Sequence, residues 1–313
     1  MSDRRLMLLD TAALYFRAFY GVPDTVRSPD GTPVNAVRGL LDMIARLVAE
    51  FRPTDLIACW DDDWRPQWRV DLLPTYKTHR VAEVVQAGPD VEVVPDPLSV
   101  QVPVIRDTLT ALGIPVVGRP EYEADDIIGT YAATATMPVD VITGDRDLFQ
   151  VIDDERDVRV IYTARGMSRL EIVTGEVLRG KYGVSPSQYA DYATLRGDAS
   201  DGLPGVAGIG EKTAASLLAE FGDLDGILAA AEAGPGVPLS AGIKAKIRAS
   251  AGYLAQAPAV VRVASDLELP PVDSRIGIPD GGLRRIAELG VHWGLGSSVT
   301  RVVTALDGAS TPS

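Results

Sequence analysis

Acidic side chains recur where the strands and helices of an α/β chain would end or begin. They follow apolar runs, open a helix or precede a glycine-rich turn: Asp10, Asp61, Glu123, Asp125, Asp126, Asp145, Asp147, Asp198 and Asp201. Like charges packed together destabilise a fold unless a counter-charge is present, and hard divalent cations such as Mg²⁺ and Mn²⁺ supply it through oxygen ligands. Two such ions ~4 Å apart are a common arrangement for phosphodiester hydrolysis.

Each acid also has a plainer interpretation, because Asp after a strand or at a helix start is common as a cap or turn residue. The segment Glu123-Ala124-Asp125-Asp126 is harder to explain in this way, since three acids in four residues cannot all be caps. A second pair follows in Gly144-Asp145-Arg146-Asp147. The combination favours a metal cluster. At the second strand the ligand is Asp61 or, with a shift of one residue, Asp62; we prefer Asp61 because it directly follows the strand.

The segment 64–81 mixes cations with aromatic rings. It carries Arg65, Arg69, Lys77 and Arg80 against one acid, Asp71, and includes two Trp, one Tyr and one His. Cations hold phosphates and rings stack on bases, so the mixture suits single-stranded nucleic acid. Taken alone, the segment is more typical of a solvated amphipathic loop. Its position in an acidic chain just after Asp61 favours the nucleic-acid interpretation.

A glycine-rich turn, GVAGIGEKT at 205–213, resembles a P-loop only superficially. Glu211 separates the last glycine from Lys212, and no strand precedes the turn. One interpretation is a plain turn. The other is a turn between two helices whose glycine N–H groups and Lys212 grip a phosphate backbone.

The elements that must position these residues alternate along the first half of the chain. Apolar runs predict strands at 6–10, 55–60, 114–117, 139–143 and 158–162, with helical patterns at 35–51, 98–112 and 124–135. Strands separated by helices indicate a mostly parallel sheet, in which ligands bind at the carboxyl ends of the strands. From about residue 174 the pattern changes to helices, predicted at 211–220, 223–233 and 240–255, with helical periodicity between 270 and 307.

Composition limits the classes of function. The chain has 313 residues, 46% of them hydrophobic, a formal charge of −13, one cysteine and two histidines. A disulfide framework is excluded, and Ser/His/Asp catalysis and zinc sites have little material. The charge argues against a general polyanion binder unless many acids converge on cations. The charged N-terminus and the lack of a long apolar run predict a protein without a signal peptide or membrane anchor, located in the cytoplasm.

Several long motifs resemble the 5′-nuclease, or flap endonuclease, family, which includes the N-terminal nuclease domain of bacterial DNA polymerase I. They are YEADD at 122–126, ITGDRDLFQ at 142–150 and RGDASDGLPGVAGIGEKTA at 196–214, supported by LLD at 8–10, YFRAFY at 15–20 and LPTYK at 73–77. The similarity covers nearly the whole chain, and the motifs occur in the family's order. Because no polymerase-sized extension follows, we expect a stand-alone bacterial member.

The resemblance implies an α/β fold with a PIN-like, mostly parallel sheet flanked by helices, a helical arch and a C-terminal helix–three-turn–helix domain. We expect a nuclease domain at 1–173 with the arch at about 64–97, a helical DNA-binding domain at 174–307 with the helix–three-turn–helix at about 190–220, and a flexible tail at 308–313. Residues 81–96 look long for the arch of relatives.

The resemblance also implies roles for residues. The nine acids named above become ligands of two or three Mg²⁺ or Mn²⁺ ions, or their water-mediated shell. Arg69 and Lys77 match arch cations that contact the scissile phosphate, with Arg80 as a helper. Tyr15 and Arg17 match residues that position the 5′ end. Gly205, Gly208, Gly210 and Lys212 match the duplex clamp, which in relatives also holds K⁺.

The implied activity is metal-dependent 5′-3′ exonuclease and 5′ flap endonuclease cleavage of DNA in replication and repair. The partner is branched or nicked DNA with a 5′ flap or 5′ end, bound by a monomer associated with the nucleoid. Two alternatives stay open. A PIN-type ribonuclease would share the strand-end acids but have no use for the glycine clamp, and a non-catalytic binder of branched DNA would form no products with Mg²⁺.

Overall fold

A computed structural model of the chain describes residues 4–84, 90–234 and 236–310. The strands are β1 (Leu6–Asp10), β2 (Asp55–Cys59), β3 (Val81–Glu83), β4 (Val91–Glu92), β5 (Val116–Val117), β6 (Val139–Thr143), β7 (Val158–Tyr162) and β8 (Glu171–Val173). Six of them form one sheet in the order β5-β2-β1-β6-β7-β8, and β3 pairs with β4 in a separate hairpin. The first five strands of the large sheet are parallel, and β8 runs antiparallel to β7.

Fifteen α-helices occur in the described part of the chain. They are α1 (Thr11–Gly21), α2 (Asn35–Phe51), α3 (Gln67–Leu72), α4 (Asp96–Ser99), α5 (Gln101–Ala111), α6 (Ala124–Thr134), α7 (Gly175–Tyr182), α8 (Tyr189–Arg196), α9 (Glu211–Phe221), α10 (Leu224–Glu232), α11 (Ala241–Ala249), α12 (Ala251–Leu254), α13 (Ala257–Val261), α14 (Gly282–His292) and α15 (Ser297–Ser310). Short 3₁₀ helices occupy Thr78–Arg80, Asp147–Val151, Met167–Arg169 and Pro186–Gln188.

The central strands are buried on both faces, which explains why they read as continuous apolar runs. In β1, Leu6 and Leu8 pack into one hydrophobic cluster while Met7 and Leu9 pack into the other. The first cluster continues into the C-terminal helices through residues such as Leu217 of α9. The helical half of the chain therefore shares a hydrophobic core with one face of the sheet.

The predicted fold class, a mostly parallel α/β sheet followed by a helical region, is confirmed. The segment 64–97 is only partly helical in its described residues: α3 and a 3₁₀ turn are followed by the β3–β4 hairpin, and residues 85–89 lie outside the described part. Val81 and Val91 lie in the strands of that hairpin, with Val84 and Val93 beside them, and β-branched residues favour strands over helix.

The prediction of a flexible tail from residue 308 is wrong for its first three residues. Helix α15 continues to Ser310, whose Oγ donates to the carbonyl oxygens of Leu306 (2.8 Å) and Ile276 (3.2 Å). The helix extends this far because its apolar face, including Val302 and Leu306, packs into the same hydrophobic cluster as α2. Residues 311–313 lie outside the described part. No helix in the described ranges is both long and apolar enough to cross a membrane.

Candidate active site

A polar cavity of about 370 Å³ opens at the carboxyl edge of the sheet. Parallel strands deliver their following residues to one edge, so side chains that are distant in sequence meet there. Asp10 ends β1 and caps α1 by accepting a hydrogen bond from the Ala13 N–H (3.2 Å). Seven carboxylates line this cavity: Asp10, Asp61, Glu92, Glu123, Asp125, Asp145 and Asp198.

Four cationic side chains also line the cavity: Arg17, Lys77, Arg80 and Arg146. Seven carboxylates against four cations leave a formal excess of three negative charges. Such an excess in a concave site is costly unless protons or bound cations offset it.

Electrostatics identify the least compensated acids. Desolvation raises the pKa of Asp10 to about 7, and the charges of Asp61 and Asp145 act in the same direction. Desolvation likewise raises the pKa of Asp61 to about 6. The pKa of Asp125 rises well above its usual value, through desolvation and then the charges of Asp10 and Asp145. These groups face the cavity with too little positive charge around them.

Glu123 and Asp126 belong to a different environment, although they come from the same motif. The Arg69 guanidinium donates to both Asp126 oxygens (2.7 and 2.8 Å) and to Glu123 Oε1 (2.9 Å). Tyr76 and Lys77 also bind Glu123. Desolvation alone would raise the pKa of Glu123, but the charges of Lys77 and Arg69 lower it below its usual value.

The same two acids shape the start of α6. The Glu123 N–H donates to the Asp126 carboxylate (3.1 Å), as in a capping box. Asp126 also accepts the Ala264 N–H (2.9 Å) and does not line the cavity. Two of the three acids in this motif therefore take part in helix capping and ion pairs. Asp125 faces the cavity, and no cation of the described ranges pairs with it.

The remaining acids surround the cavity at different depths. Asp198 lines it and is held by the Ser200 N–H (2.8 Å) and Arg196 (3.2 Å). Asp201 and Asp147 do not line it. Arg80 approaches Asp201 at 3.5 Å, and Asp147 Oδ1 is buried with no hydrogen-bond partner in the described part of the chain. Desolvation raises the pKa of both.

The structure separates the two acids that follow β2. Asp61 lines the cavity and accepts the Ala124 N–H (2.7 Å) at the start of α6. Asp62 turns away, lies over Gly118 and approaches Arg106 (3.4 Å). The geometry favours Asp61, as the sequence analysis did.

The predicted cations divide in the same way. Lys77 and Arg80 line the cavity, and Arg80 donates to the Ser200 carbonyl oxygen (3.1 Å). Arg69 is only 2% exposed, and its Nε donates to the carbonyl oxygen of Val260 (3.1 Å). A phosphate in the cavity would therefore meet Lys77 and Arg80, whereas Arg69 is fully engaged inside the protein.

The two predicted residues of α1 lie on different sides. Arg17 lines the cavity, and its buried Nε has no hydrogen-bond partner among the described residues. Tyr15 packs against the ring of Trp60, at 6.0 Å between centroids, and does not line the cavity.

The glycine turn lies outside the cavity, between α8 and α9. Gly205 has a φ of +66°, and a Cβ there would lie 2.6 Å from the backbone of Arg196, so the close approach of the two segments requires glycine. Gly208 has a φ of +74° and its carbonyl oxygen accepts Lys246 Nζ (2.9 Å). Gly210 caps α9, and Lys212 is exposed in its first turn.

Sequence reasoning missed three contributors to the site. Thr143 Oγ1 donates to Asp10 Oδ2 (2.6 Å) and accepts the Asp145 N–H (2.9 Å), so one hydroxyl joins two acids. Arg146 lines the cavity and lies between Asp145 and Asp147 in the ITGDRDLFQ motif, so its position beside two candidate ligands could have indicated its place in the site. Glu92 reaches the cavity from β4, and nothing in its sequence context distinguishes it from a surface acid.

The donors around the cavity are oxygen atoms of carboxylates, which suit hard divalent cations. In the described ranges, no three His, Cys, Asp or Glu side chains are arranged as ligands of a single ion. The acids thus surround a shared space rather than a closed cage.

Two family profiles match the chain. Residues 5–183 match the 5′-3′ exonuclease N-terminal resolvase-like domain, and residues 184–279 match the 5′-3′ exonuclease C-terminal SAM fold. A 5′-3′ exonuclease of Streptomyces coelicolor is 59% identical over 302 residues, covering 96% of this chain and 99% of that protein. DNA polymerase I of Mycobacterium bovis is 42% identical over 223 residues, covering 70% of this chain and 23% of the polymerase.

Solved structures share the fold. A variant of the bacteriophage T5 D15 flap endonuclease, in a pseudo-enzyme-product complex with DNA and metal ions, aligns with a TM-score of 0.61 at 18% identity. The alignment covers 98% of this chain and 99% of that one. The two profiles together span residues 5–279, and the Streptomyces coelicolor relative is similar over nearly the whole chain. These matches confirm the predicted resemblance: the chain belongs to the 5′-3′ exonuclease family.

Proposed function

We propose that the acidic cavity is where this 5′-3′ exonuclease hydrolyses DNA phosphodiester bonds, at 5′ ends and at 5′ flaps, with bound Mg²⁺ or Mn²⁺. The observation that carries the proposal is the excess of carboxylates over cations in one cavity at the sheet edge, with pKa values raised at Asp10, Asp61 and Asp125. The T5 D15 relative, whose fold this chain shares, was solved with DNA and metal ions.

The donor set fits divalent cations on two grounds. It offers only oxygen ligands around an open space, and Mg²⁺ usually keeps several of its waters rather than entering a closed protein cage. Just outside the cavity lining, the buried Asp147 Oδ1 has no hydrogen-bond partner among the described residues, which leaves an acceptor for the waters of a bound ion. We assign Asp10, Asp61, Asp125 and Asp145 as the holders, with Glu123, Asp126, Asp147, Asp198 and Asp201 as supporting groups.

When bound, divalent cations would supply Lewis-acid polarisation of the phosphate and an activated water. The protein's own cations act on the substrate directly. Lys77 is held at the cavity wall by Glu123, so its ammonium is placed to offset negative charge on the phosphate undergoing attack. Arg80 lies beside it, and Arg17 offers a guanidinium for the neighbouring phosphate.

Arg69 and Tyr15 take other roles in this proposal. Arg69 fixes Glu123, and Glu123 in turn fixes Lys77, so Arg69 is a positioning residue. Tyr15 braces α1 against Trp60. The exposed N-terminal turn of α9, with Gly208, Gly210 and Lys212, would contact the phosphate backbone of the duplex beyond the cut. The carbonyl oxygens of this turn would also ligate a K⁺ ion. We expect a monomer to suffice.

The test is cleavage of a labelled 5′-flap duplex by Asp61→Asn and by Asp62→Asn. The two acids are adjacent, but only Asp61 faces the cavity. We expect Asp61→Asn to lower the cleavage rate about a hundredfold or more in Mg²⁺, because removal of one electrostatic group at the reacting centre has an effect of that size. Asp62→Asn should cleave within about threefold of the wild-type rate.

Three controls separate the alternatives. EDTA should abolish cleavage by the wild-type enzyme. Faster cleavage of single-stranded RNA than of the flap duplex would favour a ribonuclease of the PIN type. Binding of the flap duplex without products in either Mg²⁺ or Mn²⁺ would favour a non-catalytic binder. Equal rates for the two Asn variants would contradict the assigned site.

A further inference from the structure

A cationic surface lies near the acidic cavity, in the loop that follows β7. The loop between β7 and β8 carries Arg165 and Arg169, which line a groove of about 700 Å³ together with Leu170, Glu171, Ile172 and Lys181. Both arginines are exposed. Within the described ranges, no hydrogen bond or ion pair engages either guanidinium group, whereas Lys181 pairs with Glu171. Two positive charges are therefore left for a ligand.

The sheet places this loop at the same edge as the catalytic cavity. Strand β7 ends at Tyr162, which lines the cavity, and Glu171 at the start of β8 pairs opposite Tyr162. Three strand positions separate β1 from β8, which corresponds to ~14 Å. At ~3.4 Å per base step, the groove lies about four base steps from Asp10, the cavity acid at the end of β1.

The groove also lies on the side of the glycine turn. Lys181 belongs to α7, and α7 packs against α9, the helix that the turn opens. At the end of α7, a Cβ on Gly183 would contact Ala215 of α9 at 3.5 Å. Arg146 on the cavity wall approaches Glu211 at the start of α9 (3.7 Å). Cavity, groove and turn are thus joined by direct packing.

The chemistry of the groove fits a phosphate backbone. In a chain with a formal charge of −13, a groove with a surplus of two unpaired arginines is a local exception. Arginine binds phosphate oxygens in a forked geometry without reading sequence. The groove is open and its lining is not aromatic, so it offers no stacking platform for single bases.

We propose that Arg165 and Arg169 bind the phosphate backbone of duplex DNA on the glycine-turn side of the cut, about four base pairs from Asp10 in the cavity. This inference rests on the proposed function, because it concerns the same substrate. The groove would then be a third site of contact with the duplex, in addition to the cavity and the glycine turn.

The experiment measures the salt dependence of DNA binding in EDTA, by fluorescence anisotropy. The variant is R165Q/R169Q, and two flap substrates serve as probes. In the short duplex, the arm on the glycine-turn side has fewer than about four base pairs; in the long duplex, that arm is much longer. With the long duplex, the slope of log K against log salt should fall by about 2, and affinity at low salt should drop about tenfold or more. With the short duplex, variant and wild type should give the same slope.

A matched control keeps the change of charge. R284Q/R285Q removes two exposed arginines from α14. The first residue of this helix, Gly282, packs against the end of α5, which leads into β5 at the other end of the strand order from β8. This control variant should leave the slope unchanged. The conservative variant R165K/R169K should retain most of the wild-type slope, because lysine also releases counterions.

The outcomes are distinct from those that test catalysis. An unchanged slope for R165Q/R169Q on the long duplex would overturn the proposal, as would an equal loss in R284Q/R285Q or in R165K/R169K. Binding of an acidic protein, but not of duplex DNA, through these arginines would assign the groove to a different partner. Because binding is measured without metal, a failure of cleavage would count against the proposed function and leave this measurement intact.

Discussion

Two groups of carboxylates lie side by side in this protein, and they differ in what surrounds them. Glu123 and Asp126 are held by Arg69, and Lys77 and Tyr76 also bind Glu123. Asp125, from the same four residues, faces the cavity with Asp10 and Asp61, and the pKa values of all three are raised.

The difference shows how one acidic motif serves two purposes. The paired acids stabilise the start of α6 and fix the position of Lys77. The negative charges of Asp10, Asp61 and Asp125 are desolvated and are not balanced by the protein's own cations, which is why the pKa values of these acids are raised. A buried acid whose charge is already balanced is a structural element, while one that stays unbalanced is a place for a cation. Three predictions test this contrast.

The largest effect is expected from breaking the paired group. Replacing Arg69 with Gln removes the cation that binds the buried Asp126 and one of the two cations that bind the buried Glu123. Removal of one member of a buried ion pair costs about 3–5 kcal/mol, and we expect a loss of that size in the free energy of unfolding. Urea denaturation followed by circular dichroism measures it.

The matched control for this variant is Arg106→Gln. Arg106 makes an exposed ion pair with Asp62 (3.4 Å), and such pairs contribute about 1 kcal/mol or less. If Arg69→Gln were as stable as Arg106→Gln, the paired group would not stabilise the fold.

The opposite behaviour is expected for the unpaired group. Asp125→Asn removes a carboxylate that lacks a counter-charge, so stability in EDTA should stay within about 1 kcal/mol of wild type or rise. The stabilisation by Mn²⁺ should largely disappear, whereas in wild type it reaches about 2.7 kcal/mol at a hundredfold excess over Kd. Thermal unfolding with and without Mn²⁺ gives both values. A full response to Mn²⁺ in this variant would remove Asp125 from the ion site.

The smallest effect concerns pH. A carboxyl whose pKa is raised on folding binds its proton more tightly in the folded state, so Asp10 and Asp61 make the metal-free protein less stable as pH rises from about 4 towards 7. Protons on these groups compete with a cation. The stabilisation by Mn²⁺ should therefore be about 1–2 kcal/mol larger at pH 7.5 than at pH 5.

Thermal unfolding at the two pH values measures this difference. In Asp10→Asn the pH dependence of the Mn²⁺ effect should shrink, because one of the titrating groups is gone. Equal stabilisation by Mn²⁺ at both pH values in the wild-type protein would show that these carboxyls do not take up the ion.

Much of the architecture could be predicted from local patterns. The apolar runs that became β1, β2, β6 and β7 are buried on both faces of a parallel sheet and therefore stand out in the sequence. Helix α1 and strand β8 were missed. Strand β8 is a three-residue edge strand that pairs only with β7, and three residues carry little periodicity. The end of α15 was missed because its support comes from packing against the helices around α2, not from its own composition.

The sequence by itself determined which residues could do chemistry here, because side-chain type and spacing next to buried strands are local properties. It also placed Asp61 ahead of Asp62. Only the tertiary structure decided which acids share a cation and which do not. Arg69 reaches Glu123 and Asp126 across more than fifty residues, and Glu92 enters the cavity from a hairpin. Charge balance depends on distance in space and on exclusion of water, and neither can be read from the order of residues.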